Sequence, residues 1–187
     1  LQDYRDRGFV PEGLLNYLAL LGWSIGEDRE IFTLEEMAAA FDVTRVNPNP
    51  ARFDPKKAEA INGVWLRRLP TDELARRMVP FLQSAGVLPP SPSAHELKVL
   101  RAAAPLVQER MSVLEEAIDM LGFLFTDDNV LSPDSDALTA IQAPEARAAV
   151  AATRDALAEL PDWTADSIEA ALRSALVEGL GLKPKHA

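Results

Sequence analysis

The run Arg7-Gly8-Phe9-Val10-Pro11-Glu12-Gly13-Leu14-Leu15-Asn16-Tyr17-Leu18-Ala19-Leu20-Leu21-Gly22-Trp23-Ser24 decides the fold class of this chain. Pro11 suits a first helical position, where an N–H would have no partner and a fixed φ is already helical. Leu14, Leu15, Leu18 and Leu21 recur at three-to-four spacing, which predicts an amphipathic helix with those leucines inward until Gly22 stops it. Elsewhere Ala and Leu dominate, aromatics are 6%, and β-branched residues never alternate as a half-buried strand requires. The prediction is all-α.

The other helices are placed by their punctuation. Thr33-Leu34-Glu35-Glu36 has capping-box spacing and predicts a helix with Leu34, Met37 and Phe41 on its apolar face. Asn47-Pro48-Asn49-Pro50 reads as a rigid loop, since prolines lack donors and bias their predecessors to extended geometry. Asp54-Pro55 reads as N-cap and first position of a helix carrying Ile61, Trp65 and Leu69, ending before Pro70. Thr71 or Asp72 should cap the next, with Leu74, Met78, Phe81 and Leu82 inside and a kink at Pro80. Leu88-Pro89-Pro90-Ser91-Pro92 reads as a stiff loop or a subdomain junction. Ser93-x-x-Glu96 caps a helix through Leu97 and Leu100 that Pro105 bends or ends, and Ser112-x-x-Glu115 should cap a further one with Leu114, Ile118 and Leu121. Thr126 to Asp136 reads as an exposed connection. Pro144 opens an Ala-rich helix to Leu160, and Thr164 caps a last one with Ile168, Leu172 and Leu176 on one stripe. Gly179-x-Gly181 then reads as a C-cap. No internal repeat is convincing.

Composition excludes several chemistries. The 187 residues carry 19 Lys+Arg against 29 Asp+Glu, a net charge of −10, and are 48% apolar, enough for a real core and too apolar for disorder. With no Cys there are no disulfides, thiolate metal sites or Cys nucleophiles, and with only His95 and His186 a His cluster or a Ser-His-Asp centre is hard to build. No apolar run approaches the roughly 20 residues of a membrane span, and the start lacks a signal peptide's zones, so a cytoplasmic protein is expected. The acidic pairs Asp127-Asp128 and Glu115-Glu116 have no third ligand at a recognisable spacing, so no metal site is expected. His95 reads as an exposed residue near a cap, and Trp23, Phe41 and Trp65 read as core side chains.

Net acidity opposes non-specific binding of nucleic acid, but charge is unevenly placed. Segments 1–69, 70–122 and 123–187 carry 9, 5 and 5 basic against 11, 7 and 11 acidic residues. Arg52, Lys56, Lys57, Arg67 and Arg68 fall within 17 positions and could share one helix face as a phosphate-contact surface, or could be ordinary solvated surface.

The opening run resembles the segment after the catalytic domain of bacterial glutamyl-tRNA synthetases, class I aminoacyl-tRNA synthetases in which it reads RGF-PE-(A/G)-LLNYLALLGWS. A second block, Phe53-Asp54-Pro55-Lys56-Lys57-Ala58-Glu59-Ala60-Ile61-Asn62-Gly63-Val64-Trp65-Leu66, is similar to that family's F-D-x-x-K-L-x-x-x-N-x-x-(Y/W)-(I/L) motif. It departs at Ala58, where Leu is usual, and at Ala60, often Trp. Leu124-Phe125-Thr126-Asp127 resembles a weaker third landmark. The family's HIGH and KMSKS-like sequences occur nowhere in the chain.

The resemblance implies an all-α, C-terminal tRNA-recognition fragment: a multihelical stem-contact subdomain at 1–69, then a helical anticodon-binding domain whose subdomains are 70–122 and 123–187. The parent enzyme would ligate glutamate to tRNA with ATP and Mg²⁺, act as a monomer, and take tRNA(Glu), with tRNA(Gln) left open as a second partner. The fragment itself would hold no cofactor or catalytic residue and bind neither DNA nor membrane. Arg110, in Gln108-Glu109-Arg110-Met111, falls where the family places an Arg or Gln facing the third anticodon base, and Arg173 matches a second basic position in the anticodon domain. From the residues alone, Arg110 could pair with a nearby Glu and Arg173 with Glu169. Family members continue past Lys183-Pro184-Lys185 with a PLR-containing segment, so some anticodon contacts are expected outside this chain. The alternative reading is a helical protein-interaction module that has lost tRNA binding.

Overall fold

Helix α1 (Gln2–Asp6) is a single turn, after which Gly8, at φ +89°, sends the chain into α2 (Pro11–Leu20). A side chain at Gly8 would meet the backbone nitrogen of Leu114 at 2.5 Å, so both the left-handed backbone and the close approach require glycine. The structure, a computed structural model, describes residues 1–26, 29–48, 51–130, 132–133 and 135–183. Asn49-Pro50 of the expected rigid loop, and Pro184, Lys185 and His186 at the end, lie outside the described residues. Among the described residues there are helices and no strand, so the chain is all-α as its sequence predicts.

Pro11 opens α2 as expected, and Leu14 and Leu21 pack half-buried against the core, but the inward face is not centred on the leucine stripe. Gly13, Asn16 and Tyr17 are buried, while Leu15 and Leu18 are 44% and 42% exposed. The cause is the crossing with α4 (Pro55–Arg68), where a Cβ on Gly13 would sit 2.6 Å from Asn62 Oδ1 and 2.9 Å from its Cα. Positions three and four residues beyond Gly13 share its bearing, so Asn16 and Tyr17 turn inward with it. Helix α3 (Leu34–Ala40) has the expected Thr33–Glu36 capping box, yet its predicted apolar face is not buried: Leu34 and Phe41 are each 53% exposed. Phe32, just before it, enters the core instead and meets Trp23 edge-on at 5.6 Å. Of the three aromatics expected inside, Trp23 is buried and Trp65 half-buried.

Asp54 caps α4 by accepting the amides of Lys56 and Lys57 at 2.9 and 3.3 Å. Helix α5 (Thr71–Ser84) begins on Thr71 directly behind Pro70, with no side-chain cap from Thr71 or Asp72. Pro80 lies inside α5 and Pro105 inside α6 (Ala94–Gln108), and neither ends its helix. Each forfeits one intrahelical bond, and the helices persist because Leu82, Ala104 and Val107 around those points are packed. Leu88–Pro92 is a tied loop and not a junction. Leu88 is buried, and Gln83 Nε2 donates to the carbonyls of Pro89 and Pro90, each at 3.0 Å. The Ser93–Glu96 box forms as predicted. At 112 the register differs by one: Glu116, not Glu115, reaches back, accepting from the Ser112 amide at 2.7 Å, and a tight turn at Leu114–Glu116 precedes α7 (Ala117–Leu121).

Two apolar clusters hold these helices. One joins Val10 and Leu66 to Leu74, Met78, Leu82, Leu100, Ala104, Met111, Leu114 and Leu121. The other joins Phe9, Tyr17, Ala58 and Ile61 to Val113. Both therefore run across position 69/70, and the chain's two compact units divide at 130/131. In the second unit, α8 (Ser135–Ala140) starts inside the span expected to be a connection. There follow α9 (Pro144–Ala158), opened by Pro144 as predicted, and α10 (Ala165–Leu172), where Thr164 and Ser167 cap reciprocally. The wider π-type turn Arg173–Gly179 closes on Gly181, at φ +68°, with the Leu182 amide donating to Leu176 O at 3.0 Å.

Candidate nucleic-acid interface

Arg110 stands on a turn that other side chains pin in place. Gln108 Nε2 donates to the carbonyls of Leu66 and Leu69 at 2.9 and 2.8 Å, fastening the end of α6 to the end of α4. Met111 is fully buried, and Asn62 Nδ2 donates to Ser112 O at 2.6 Å. Asn62 also accepts the Val10 amide at 2.9 Å, so one buried side chain ties α2, α4 and this turn together. The Arg110 backbone is held by its amide's bond to Val107 O at 2.9 Å. Its exposed guanidinium has no ion pair or hydrogen bond among the described residues, so the pairing with a nearby Glu does not form. A fixed base with a free planar donor fork is the arrangement that hydrogen-bonds or stacks on an RNA base without first breaking an internal contact.

The other basic residues fall into groups. Glu109, beside Arg110, reaches Arg67 at 4.0 Å, so the end of α4 and the Arg110 turn meet. Arg68 lies 5.1 Å over the Trp65 ring, whose Nε1 donates to the buried Asn16. At the other end of α4, Lys57 pairs with Glu30 at 2.5 Å, while Lys56 and the preceding Arg52 are exposed. On the helix wheel Lys56 and Arg67 share one bearing and Lys57 and Arg68 another, to within about 20°. Yet the pairs are about 16 Å apart along the axis, with buried Ile61 and Gly63 between them. The five residues thus form a basic group at each end of α4. Arg173 faces Glu169 at 3.9 Å, both largely exposed, as its sequence spacing suggested.

Part of the charge elsewhere in the first unit is structural. Arg77 bridges Glu12 of α2 at 2.8 Å and Glu73 of its own helix at 2.6 Å. Hydrogen bonds from Arg76 and Arg77 hold the Glu73 carboxyl down at about 2, and Arg77 lowers that of Glu12. The acidic pairs also serve the backbone: Asp127 accepts the Asn129 amide at 2.8 Å, and Glu116 ties the turn at Ser112. Among the described residues no three His, Asp or Glu side chains gather as metal ligands would, and no helix is long and apolar enough to cross a membrane. Asn62, Gln108 and Glu116 escaped the reading of the sequence. The available signals were an Asn within the apolar positions of α4 and a Gln closing a helix just before Arg110.

A helical scaffold that presents an arginine on a rigid turn can offer a planar donor fork to a nucleic-acid base. The chain belongs to the anticodon binding domain family, whose pattern matches residues 73–187. Residues 1–60 match a second family, the catalytic domain of class I tRNA synthetases (E and Q). Similar curated proteins are the glutamate–tRNA ligases of Saccharopolyspora erythraea, 54% identical over 187 residues, and of Kineococcus radiotolerans, 59% identical over 189. Each match takes in 100% of this chain, which spans 37% of the length of either relative. Among solved structures, a glutamate tRNA ligase from Elizabethkingia meningosepticum in complex with its amino acid superposes with a TM-score of 0.74 at 26% identity, covering 96% of this chain and 34% of that one. The glutamate–tRNA synthetase of Elizabethkingia anophelis gives 0.71, also at 26%, covering 96% and 33%. The family resemblance drawn from Arg7–Ser24 and Phe53–Leu66 is thereby established, except that residues 1–60 match the catalytic-domain family itself instead of following it.

Proposed function

We propose that this chain is the tRNA-recognition part of a glutamate–tRNA ligase and that Arg110 reads the third anticodon base. The observation that carries the reading is the unpaired Arg110 guanidinium on a turn fixed by Gln108, Met111 and Asn62, within a chain of the anticodon-binding family. In this division of labour, residues 1–69 contact the stem, with phosphates at the basic ends of α4 (Arg52, Lys56, Lys57, Arg67, Arg68), while 70–122 and 123–187 splay and read the anticodon, Arg173 included. Phosphate contacts fix register and base contacts select. Ligation of glutamate with ATP and Mg²⁺ belongs to the remainder of a full-length enzyme. Such an enzyme would be a cytoplasmic monomer whose partner is tRNA(Glu), with acceptance of tRNA(Gln) set in part at Arg110.

Arg110→Gln in the full-length enzyme tests the assignment. Arg offers only donors, whereas Gln offers a donor and an acceptor, so the ratio of tRNA(Glu) to tRNA(Gln) charging should shift severalfold. An unchanged ratio sinks it. For the chain itself, retardation of glutamate tRNA should weaken steeply with salt. No binding at low salt would favour the protein-interaction module instead.

A further inference from the structure

In the second unit, Arg147 and Arg154 stand at the two ends of an open groove between α8 and α9. The groove has a volume of about 440 Å³ and is lined by Leu138, Ile141, Gln142, Val150 and Ala151 besides the two arginines. Arg147, Val150, Ala151 and Arg154 follow at three- and four-residue steps, so they share one face of α9, with the arginines about 10 Å apart along its axis. The floor is apolar and open to solvent: Leu138, Ile141 and Val150 are 44%, 39% and 54% exposed.

The electrostatics of this groove run against its surroundings. Segment 123–187 has 11 acidic residues to 5 basic ones, yet the groove lining has two arginines and no carboxylate. The Arg147 guanidinium has no ion pair or hydrogen bond among the described residues. Among the described residues Arg154 meets only its sequence neighbour Asp155, at 2.6 Å, with both side chains mostly exposed. The Gln142 side chain offers a donor and an acceptor beside the floor.

We infer that the α8–α9 groove is a second RNA-contact site that takes an unpaired nucleotide. Its base would lie on the Leu138–Ile141–Val150 floor within reach of Gln142, and its flanking phosphates would meet Arg147 and Arg154. Two cations bracketing an acid-free apolar floor complement a polyanion with planar apolar bases, and arginine planes also stack on bases. The surrounding acidity confines that affinity to the groove. This inference rests on the reading that the chain binds tRNA.

The test is titration of the whole 187-residue chain with a bacterial glutamate tRNA transcript over a salt series. Arg147→Glu and Arg154→Glu should each weaken binding at least fivefold and make the log–log salt dependence shallower by about 0.7 per lost phosphate contact. Arg101→Glu, whose wild-type side chain pairs with Asp72 in the other unit, should change binding less than twofold. If charge reversal lowers the helical circular dichroism, Arg147→Gln is read in its place and should cost at least twofold. Wild-type binding that all groove variants retain overturns the groove and leaves that face to protein packing. A wild-type chain with no salt-sensitive binding overturns the broader reading and the groove with it, so the wild-type titration tells the two failures apart.

Discussion

Asn62 joins three parts of the fold through one side chain. It is fully buried, accepts the Val10 amide and donates to Ser112 O. Removing it leaves a buried N–H and a part-buried C=O unpaired, the first worth about 1–3 kcal/mol and the second less. Asn62→Ala should therefore lower unfolding free energy by about 3 kcal/mol in urea melts, and a loss below ~1 kcal/mol would show that neither bond matters. Gly13→Ala attacks the same contact from α2. Its Cβ would press within 2.9 Å of the Asn62 backbone, which cannot yield as a flexible side chain could, and should cost about 1–3 kcal/mol. Both residues lie in the blocks that carry the family resemblance, but the leucine pattern pointed elsewhere. Periodicity ranks side chains by polarity, whereas this helix is oriented by the one position small enough for close approach.

At the scale of helices, sequence punctuation located nearly every element, because caps and prolines act through the local backbone. Thr33, Asp54, Ser93 and Thr164 all cap as their spacing implied. Two expectations gave way for different reasons: Pro105 does not end α6, whose neighbours hold it, and α8 is too short to carry a periodic signal. Arg110 was singled out only through the family resemblance, and nothing local in the sequence says that a Gln two residues earlier pins its turn. The Glu12–Arg77–Glu73 bridge between α2 and α5 was equally invisible, and it carries a pH prediction. The folded Glu73 carboxyl is depressed to about 2 from an ordinary 4.5, so its contribution to stability is fully present above about pH 4.5 and is lost as pH falls toward 2. The stability gap between wild type and Glu73→Gln in urea melts should accordingly narrow across that window. A gap independent of pH would mean that the carboxylate charge contributes nothing.

Over the whole molecule, packing divides the chain at a different place from the proposed function. A stem-contact part ending at residue 69 would be a division of labour that the packing does not follow, because Leu66 shares a cluster with Leu74, and Val113 shares one with Tyr17 and Ile61. A chain cut after 69 would expose both clusters, whereas residues 1–130 keep both entire and should fold alone with a cooperative transition. The second unit is built on less. Among its described residues only Leu176 is a buried apolar side chain, so little apolar surface offsets the entropy of ordering its helices. Local stability should follow that difference. Native-state hydrogen exchange should find amides of α9 and α10 opening at least tenfold more readily than those of α4 and α6. Uniform protection along the chain would show that the second unit draws its stability from the first. A loosely cored second unit also suits splaying bases, because ordering it would be coupled to RNA contact, and glutamate tRNA should slow exchange in α9 and α10 more than in α4.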